Sequence, residues 1–464
     1  MALLHDDRLF PAEPTTRAIA QRLYATVRDL PIVSPHGHTQ AGWFVGNEAF
    51  PDPAKLFIQP DHYVHRMLYS QGVRLEELEI GKAVIEDPRK VWRIFAEHYY
   101  LFRGTPSRLW LDYAFEKQFG MTERLSAQNA DLYYDTISEK LQTPEFRPRA
   151  LFESFKLEVL ATTDSAIDPL TDIQALRASG WKGRIIPTFR PDSVVDPEFA
   201  GFMENLETLG AISGEDTSTW AGYLNALRKQ RERFKALGAT ATDHGHPTAR
   251  TADLELADCE QLFDTILSGN ADEEDAEVFR SQMLTEMARM SVEDGLVMQI
   301  HPGSSRNHNF QLFEKFGRDM GADIPTPTNY VDALQPMLDN FGNEPNLTVI
   351  LFTLDETTYS RELAPLAGHY PSLRLGPPWW FHDSPEGMMR FRQQATETAG
   401  FYNTVGFNDD TRAFLSIPAR HDVARRIDCA FLAQKVAEHS IEEDEAFELV
   451  QDLTVNLVRK AYRL

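Results

Sequence analysis

The chain has 464 residues, a formal net charge of -24 at pH 7 and an apolar content of 42%, which suffices for one barrel domain with an insertion or for two domains. Its surplus of acidic residues argues against nucleic acid or an anionic membrane surface as a partner, because both are negatively charged. No apolar run approaches the ~20 residues of a transmembrane helix.

Only two cysteines, Cys259 and Cys429, occur in the sequence, so no disulfide framework is predicted. The first residues contain neither the basic segment nor the apolar segment of a secretory signal peptide. Together these two features predict a cytoplasmic protein.

Eight short apolar runs recur along the chain, and stretches with amphipathic spacing follow them. The runs cover residues 32–36, 157–162, 184–189, 239–242, 296–300, 347–352, 373–376 and 403–407. Such alternation is typical of a parallel sheet that is buried on both faces, and eight runs predict a closed α/β barrel of the (β/α)₈ type. The seventh run is the weakest, because Pro377 and Pro378 follow it. Ala446, Val450 and Leu453 repeat a helical spacing, which predicts a C-terminal helix.

The connection between the first two runs is far too long for a single crossover helix, since it spans about 120 residues. Val91 and Phe95 illustrate its helical, aromatic-rich spacing. We therefore predict that residues 1–40 and 151–464 form the barrel and that residues 41–150 form a helical insertion. An insertion after the first strand emerges at the C-terminal end of the barrel, so we expect it to border the active site.

The first run ends in the motif His36-Gly37-His38. In an extended strand, residues i and i+2 point to the same side, so both imidazoles can bind one cation. The alternative is a pair of ordinary surface or capping histidines. Their place at the C-terminal end of a barrel strand favours the metal site, because catalytic groups of this fold lie there.

Charged or imidazole side chains follow four other runs. Arg190, Asp243, His301 and Asp410 come after the third, fourth, fifth and eighth runs. All four would meet around one cavity if the barrel is closed. For each residue alone, capping of the next helix is the alternative.

Two arginines lie just beyond these strand ends. Arg306 follows His301, and Arg412 follows Asp410 by two residues. An anionic substrate would need such groups in an acidic protein, and Arg can hold a carboxylate by two hydrogen bonds. The alternative is that both form surface ion pairs.

The early insertion contains Asp61-His62-Tyr63. Tyr63 could donate or polarise a proton if this segment folds over the barrel mouth. The alternative is a buried tyrosine whose hydroxyl is satisfied within the protein.

These motifs together resemble a known family. The His-x-His pair, His301 and Asp410 resemble the amidohydrolase superfamily. The fuller set resembles the uronate isomerase (glucuronate isomerase) family from about residue 31 to residue 421, through LPIVSPHGH, DHYVHR, TTDS, PTFRPD, IHPGSSRN, PPWWF with GMMRF, and GFNDDTRAFLSIPARH. The resemblance implies conversion of D-glucuronate to D-fructuronate and of D-galacturonate to D-tagaturonate through a cis-enediol.

The resemblance also implies roles for the matching residues. The metal ligands correspond to His36, His38 and Asp410, with His301 as a further ligand or a substrate contact. Asp410 corresponds to the general base and Arg412 to its partner. Tyr63 and Arg412 would handle the hydroxyl proton and the enediolate charge.

Six side chains are assigned to substrate binding, and Arg190 is expected to hold the substrate carboxylate. The resemblance implies most of these assignments and the strand-end positions add the others; they are His62, Arg190, Asp243, Arg306, Trp379 and Trp380. Tyr63, Arg412 and His301 are assigned to catalysis together with Asp410.

Many hydrolases of the superfamily carry a modified lysine after the fourth strand, where this chain has Asp243-His244. We therefore expect one divalent metal ion, with Zn²⁺ as first choice and Mn²⁺, Co²⁺ and Fe²⁺ left open. The expected partners are hexuronates, with no nucleic acid and no membrane, and a homo-oligomer is compatible with this class of enzyme. The alternatives are a metal-dependent hydrolase or decarboxylase of the same superfamily, and a binding barrel without catalysis.

Overall fold

The computed structural model describes residues 3–82 and 84–464. Its strands alternate with helices in chain order, as the apolar runs predict. The strands are β1 Ile32–Ser34, β2 Leu157–Ala161, β3 Asp164–Ser165, β4 Ile185–Ile186, β5 Phe189–Arg190, β6 Ala241–His244, β7 Val297–Ile300, β8 Ser304–Ser305, β9 Ile324–Pro325, β10 Val349–Leu351 and β11 Leu373–Leu375.

The sheet is parallel throughout the barrel. Pairing follows the order β1-β2-β4 in one part and β3-β5-β6-β7-β10-β11 in the other. β3 continues β2 and β5 continues β4 after interruptions of two residues, so these pairs form the second and third barrel strands. β8 and β9 form a separate antiparallel hairpin. The strand order therefore follows the chain order around the predicted (β/α)₈ barrel.

The predicted eighth strand is reduced to one bridge, which pairs Leu375 with Thr404. The run does not continue as a strand beyond Gly406, because this residue has φ +77°. Its backbone packs closely on the C-terminal segment, since a Cβ at this position would lie 2.6 Å from Leu453 O. A backbone hydrogen bond of 3.1 Å from His38 N to Thr411 O joins this end of the barrel to the first strand. Within the described residues, no ladder pairs the eighth run with β1.

The barrel interior is filled by small and β-branched side chains from successive strands. They are Val33, Val159, Ala161, Ile186, Ala241, Val297, Ile350 and Val405. Val455, Val458 and Tyr462 belong to the same cluster. The last residues of the chain thus pack into the barrel.

In the described part of the chain, one helix precedes the barrel and seven lie between β1 and β2. They are α1 Pro14–Val27, α2 Ala41–Gly46, α3 Pro53–Phe57, α4 His62–Ser70, α5 Pro88–Glu97, α6 Pro106–Tyr113, α7 Ala130–Leu141 and α8 Pro148–Ser154. The inserted helices pack through buried aromatic side chains, including Trp92, whose indole donates to Ala130 O at 2.9 Å. Their buried residues join the same hydrophobic cluster as the outer helices of the barrel. We keep the division into a barrel and an insertion of residues 41–150 as a proposal.

The remaining helices follow the later strands. They are α9 Thr171–Ala178, α10 Asp192–Val195, α11 Phe202–Ser213, α12 Trp220–Ala236, α13 Leu256–Leu267, α14 Glu273–Asp294, α15 Phe310–Phe316, α16 Val331–Phe341, α17 Ala364–Ala367, α18 Pro385–Ala399, α19 Ile417–Ala437, α20 Glu443–Gln451 and α21 Leu457–Tyr462. None of the helices in the described part of the chain combines the length and the apolar content that crossing a membrane requires.

Candidate active site

A cavity of about 690 Å³ opens at the C-terminal ends of the barrel strands. Its lining includes every side chain that the sequence analysis assigns to the site. These are His36, His38, His62, Tyr63, Arg190, Asp243, His301, Arg306, Trp379, Trp380, Asp410 and Arg412. The fold thus brings residues from six barrel strands and the insertion to one place.

His36, His38 and Asp410 form the centre of this cavity. Asp410 Oδ1 lies 3.4 Å from His36 Nε2 and 3.1 Å from His38 Nε2. His36 is fully buried and His38 is partly exposed. The first barrel strand therefore supplies two imidazoles that face one carboxylate from the eighth.

His301, after β7, completes this group. Its ring stacks on His36 with 4.9 Å between centroids, and on Phe352 with 3.9 Å. His301 Nδ1 lies 2.7 Å from Asp243 Oδ1, while its buried Nε2 has no hydrogen-bond partner among the described residues. One ligand atom each of His36, His301 and Asp410 lies within 4.8 Å of the others. A donor set of imidazoles and a carboxylate with an unpaired buried nitrogen fits a divalent ion of the Zn²⁺, Mn²⁺, Co²⁺ or Fe²⁺ class.

The two acids of the centre are ionised despite their burial. Burial acts to raise the pKa of Asp410, but His36 and His38 outweigh it and hold that pKa well below its usual range. The pKa of Asp243 is likewise opposed by burial and lowered well below its usual range by Arg190, His301 and His36. Both carboxylates are therefore charged at pH 7.

Arg190 lies between two carboxylates. Its Nη1 is 3.1 Å from Asp243 Oδ2, and its Nε donates to Asp192 Oδ2 at 2.8 Å. A continuous chain of contacts therefore links His301, Asp243, Arg190 and Asp192. These two ion pairs hold the guanidinium in place at the cavity wall and also offset its charge.

The start of α4 positions His62 and Tyr63. The side chain of Asp61 caps this helix and accepts hydrogen bonds from Tyr63 N at 2.8 Å and Val64 N at 3.3 Å. The rings of His62 and Tyr63 stack with 4.5 Å between centroids, and His62 meets the edge of Trp380 at 5.5 Å.

Both side chains are uncharged at pH 7. Burial, with a smaller contribution from Arg412, lowers the pKa of His62 to about 3. Burial also raises the pKa of the Tyr63 hydroxyl well above its usual range. Tyr63 therefore keeps its proton and can act as a hydrogen-bond donor.

The two arginines at the mouth are partly exposed and each forms an ion pair. Arg306 Nη1 lies 3.1 Å from Asp323 Oδ2, and its guanidinium lies over the Trp380 ring at 5.0 Å. Arg412 Nη2 donates to Asp319 Oδ2 at 2.9 Å. The surface ion pair that the sequence left as an alternative is thus present at both positions, although both arginines also line the cavity.

Two polar residues that contact the predicted site residues were not predicted from the sequence. Asp192 follows Arg190 by two residues, and this spacing alone could have indicated the ion pair between them. Gln299 is a polar residue within the apolar run of β7, and its Nε2 lies 3.5 Å from His36 Nδ1. A buried polar residue in a barrel strand is also a readable signal, because it needs a partner.

Comparisons with known proteins agree over the full length of the chain. A model of the glucuronate isomerase family matches residues 10–462. A uronate isomerase of Rhizorhabdus wittichii is 64% identical over 461 residues, which cover 99% of this chain and 98% of the relative. The crystal structure of glucuronate isomerase from Caulobacter crescentus matches with a TM-score of 0.98 at 60% identity, covering 99% of this chain and 97% of the other. That of uronate isomerase from Thermotoga maritima matches with a TM-score of 0.93 at 29% identity, covering 99% of each chain.

Proposed function

Because this chain belongs to the glucuronate isomerase family, it is an enzyme that interconverts aldose and ketose forms of hexuronates, and we propose that Asp410 is its general base. Its reactions are D-glucuronate to D-fructuronate and D-galacturonate to D-tagaturonate. The observation that carries the proposal is the position of Asp410, which is buried, ionised and in contact with both His36 and His38. The family assignment does not favour the hydrolase or decarboxylase alternative.

A metal ion fits the centre of this site, and we assign its ligands to His36, His38, Asp410 and His301. The unpaired buried Nε2 of His301 supports the assignment, since a buried polar atom ordinarily has a partner. Zn²⁺ is the first choice because imidazole and carboxylate groups are its common protein ligands. When bound, the ion would polarise the oxygens at C1 and C2 of the substrate.

The proton transfer is assigned to the carboxylate of Asp410. Its Oδ1 contacts both imidazoles, so Oδ2 is the oxygen that we assign to the proton on C2. Removal of this proton leaves its electron pair in the C1–C2 double bond of a cis-enediolate, while the hydroxyl proton on O2 moves to O1 and the negative charge stays on O2. Asp410 then returns its proton to C1 as the carbonyl forms at C2. A positioned base of this kind contributes roughly 10²–10⁴-fold.

Tyr63 and Arg412 are assigned to the charge and protons of the intermediate. Tyr63 stays protonated, so its hydroxyl can donate to the oxygen on which charge develops. Arg412 supplies positive charge at the cavity wall near His62 and can exchange Asp319 for substrate.

The remaining cavity residues are assigned to binding. Arg190 would hold the substrate carboxylate, because Asp192 and Asp243 fix its guanidinium at the cavity wall. A fixed anchor at the far end of the sugar keeps C1 and C2 in register with the base. The other contacts are assigned to His62, Asp243, Arg306, Trp379 and Trp380.

Two free and buried cysteines, Cys259 and Cys429, support the further proposal that the enzyme works in a reducing compartment such as the cytoplasm. A homo-oligomeric assembly is proposed on general grounds alone.

The test is proton NMR of D-glucuronate incubated with the purified enzyme in heavy water. We expect D-fructuronate with deuterium at C1, because a carboxylate that carries the proton can exchange it with solvent. Conversion without any deuterium, with an isotope effect on the C2 hydrogen, would replace the proton route by a hydride shift. No conversion of either hexuronate by the metal-loaded enzyme would contradict the proposed reaction.

A further inference from the structure

A second group of metal-ligating side chains lies beside the active site, at the ends of the third and fourth barrel strands. His244 ends β6, His246 follows after Gly245, and Asp192 begins α10. One ligand atom each of Asp192, His244 and His246 lies within 4.8 Å of the others. The motif repeats the His-Gly-His pattern of residues 36–38.

The imidazole nitrogens of this group are buried and mostly unpaired. Both ring nitrogens of His246 and Nδ1 of His244 have no hydrogen-bond partner among the described residues. His244 Nε2 lies 3.1 Å from Thr242 Oγ1. If Nε2 donates to that hydroxyl, the lone pair of Nδ1 is available to a ligand, and such an outer hydrogen bond is the usual support of a metal-binding imidazole.

The carboxylate of Asp192 has unused acceptor capacity. Its Oδ2 accepts from Arg190 Nε at 2.8 Å, and Gly245 N lies 3.2 Å from its Oδ1. Each carboxylate oxygen can accept two bonds, so Oδ1 can still bind a cation. A Cβ at Gly245 would clash with Arg190 Nη2 and lie 2.9 Å from Asp192 Oδ2, so the glycine lets the segment between the two histidines pass close to this ion pair.

The surroundings carry a surplus of negative charge. Burial lowers the pKa of His244 to about 3 and also lowers the pKa of His246, so neither imidazole is positively charged at pH 7. Four carboxylates and three guanidinium groups surround these rings among the described residues; they are Asp192, Asp196, Asp243 and Glu277 against Arg190, Arg231 and Arg280. A divalent cation would offset this surplus.

We propose that Asp192, His244 and His246 bind a divalent transition-metal ion such as Zn²⁺, in addition to the ion of the isomerase site. Two imidazoles and one carboxylate are a ligand set of this class of ions. The ion would join the end of β6 to the start of α10 and, through Asp192, would fix Arg190. The sequence alone predicts one ion, because no lysine follows the fourth strand to bridge a second metal. The new site does not bridge, since Arg190 and Asp243 separate it from His301.

The test measures zinc content by mass spectrometry after metal removal, reconstitution of the full chain with Zn²⁺ and desalting. We expect about two zinc ions per chain in the wild type and about one in His246→Ala, because a site that loses one of three protein ligands binds too weakly to survive desalting. The double variant His36→Ala/His38→Ala should also keep about one, held by the new site. His369→Ala, which removes an exposed histidine outside both groups, should keep both.

A wild-type chain with a single ion that His246→Ala leaves in place would overturn the proposal. Because a variant can fail to fold, a second measurement uses wild-type crystals grown with Zn²⁺ and diffraction data at the zinc absorption edge. The expected result is an anomalous peak at about 2.0–2.2 Å from ligand atoms of Asp192, His244 and His246. Density without anomalous signal there would identify ordered water and would also overturn the proposal, as would an empty position.

Discussion

At the scale of single residues, Asp410 combines an unusual backbone with an unusual charge environment. Its φ is +37°, on the left-handed side of the map, which aspartate tolerates better than most residues. The neighbouring residues hold this conformation, since Asp409 Oδ2 lies 3.0 Å from His421 Nε2 and Thr411 O accepts from His38 N. Strain of this kind persists where surrounding contacts fix a functional group.

Asp410→Asn should abolish most turnover while leaving the fold intact. The amide cannot take a proton from C2, so we expect kcat/KM to fall by about 10²–10⁴-fold or more. Circular dichroism and the thermal midpoint should stay close to those of the wild type. Asp29→Asn, at an exposed position that only surface cations contact, is the control and should retain full activity. Wild-type-like rates in the Asp410 variant would remove this residue from the role of base.

At the scale of secondary-structure elements, the sequence predicted what depends on local pattern and missed what depends on distant partners. The run at 296–300 was predicted as a strand from its continuous apolar residues, which reflect burial of both faces of β7. The run at 403–407 was predicted as a strand, but the chain turns at Gly406, whose backbone packs closely against Leu453, and this distant contact is not visible in the local sequence. The site residues predicted from the family motifs all line one cavity. The ion pair between Arg190 and Asp192, in contrast, became apparent only in the structure. The repeated His-Gly-His motif of residues 244–246 was visible but was not singled out.

The turn at Gly406 gives a prediction about stability. Gly406→Ala places a Cβ 2.6 Å from Leu453 O in addition to straining a positive φ. Gly214→Ala is the matched control, because Gly214 has φ +71° with no atom within 4 Å of a Cβ. Chemical unfolding should show a loss of about 1–2 kcal/mol for Gly214→Ala, from the backbone alone. Gly406→Ala should lower the free energy of unfolding by clearly more than Gly214→Ala does. Equal losses in the two variants would contradict the close packing of the C-terminal segment on this turn.

Asp164 in β3 gives a prediction about pH dependence. Burial raises its folded pKa from 3.8 to about 6, against a hydrogen bond from Thr162 Oγ1 at 2.6 Å. The folded state therefore holds this proton more tightly than the unfolded state, so stability falls as pH rises from about 4 to about 6. Asp164→Asn removes that loss and should be more stable than the wild type at pH 7, on the order of 2 kcal/mol.

The difference between Asp164→Asn and the wild type should vanish below about pH 4, where the wild-type carboxyl is protonated in both states. Thermal midpoints recorded between pH 4 and pH 8 would show it. Asp339→Asn, at another exposed position, should follow the wild type at every pH. A constant offset of Asp164→Asn at all pH values would mean that the change acts through packing and not through the proton.

At the scale of the whole molecule, the last helix reaches the active site through the barrel. Tyr462, at the end of α21, is fully buried in the cluster that fills the barrel. Its hydroxyl donates to Gln299 Oε1 at 2.9 Å and accepts from Asn408 Nδ2 at 3.0 Å. Gln299 in turn lies 3.5 Å from His36 Nδ1. The C-terminus thus contacts, through Gln299, the proposed metal ligand His36.

Tyr462→Phe should therefore weaken the site without contacting it. Loss of the hydroxyl leaves Gln299 Oε1 without this donor, while the bond of 3.2 Å from Gln299 Nε2 to Thr242 O remains. The amide is then held less firmly beside His36, so we expect metal affinity or kcat/KM to fall by about 10–100-fold. Tyr402→Phe is the control, because it removes a tyrosine hydroxyl that bonds Asp452 at 3.1 Å on the exposed surface. A zinc titration and a thermal midpoint of both variants distinguish an effect on the metal ligand His36 from a general loss of packing. A lower zinc affinity of Tyr462→Phe at an unchanged thermal midpoint places the effect on His36, whereas a lower midpoint with unchanged affinity would reduce Tyr462 to a packing residue.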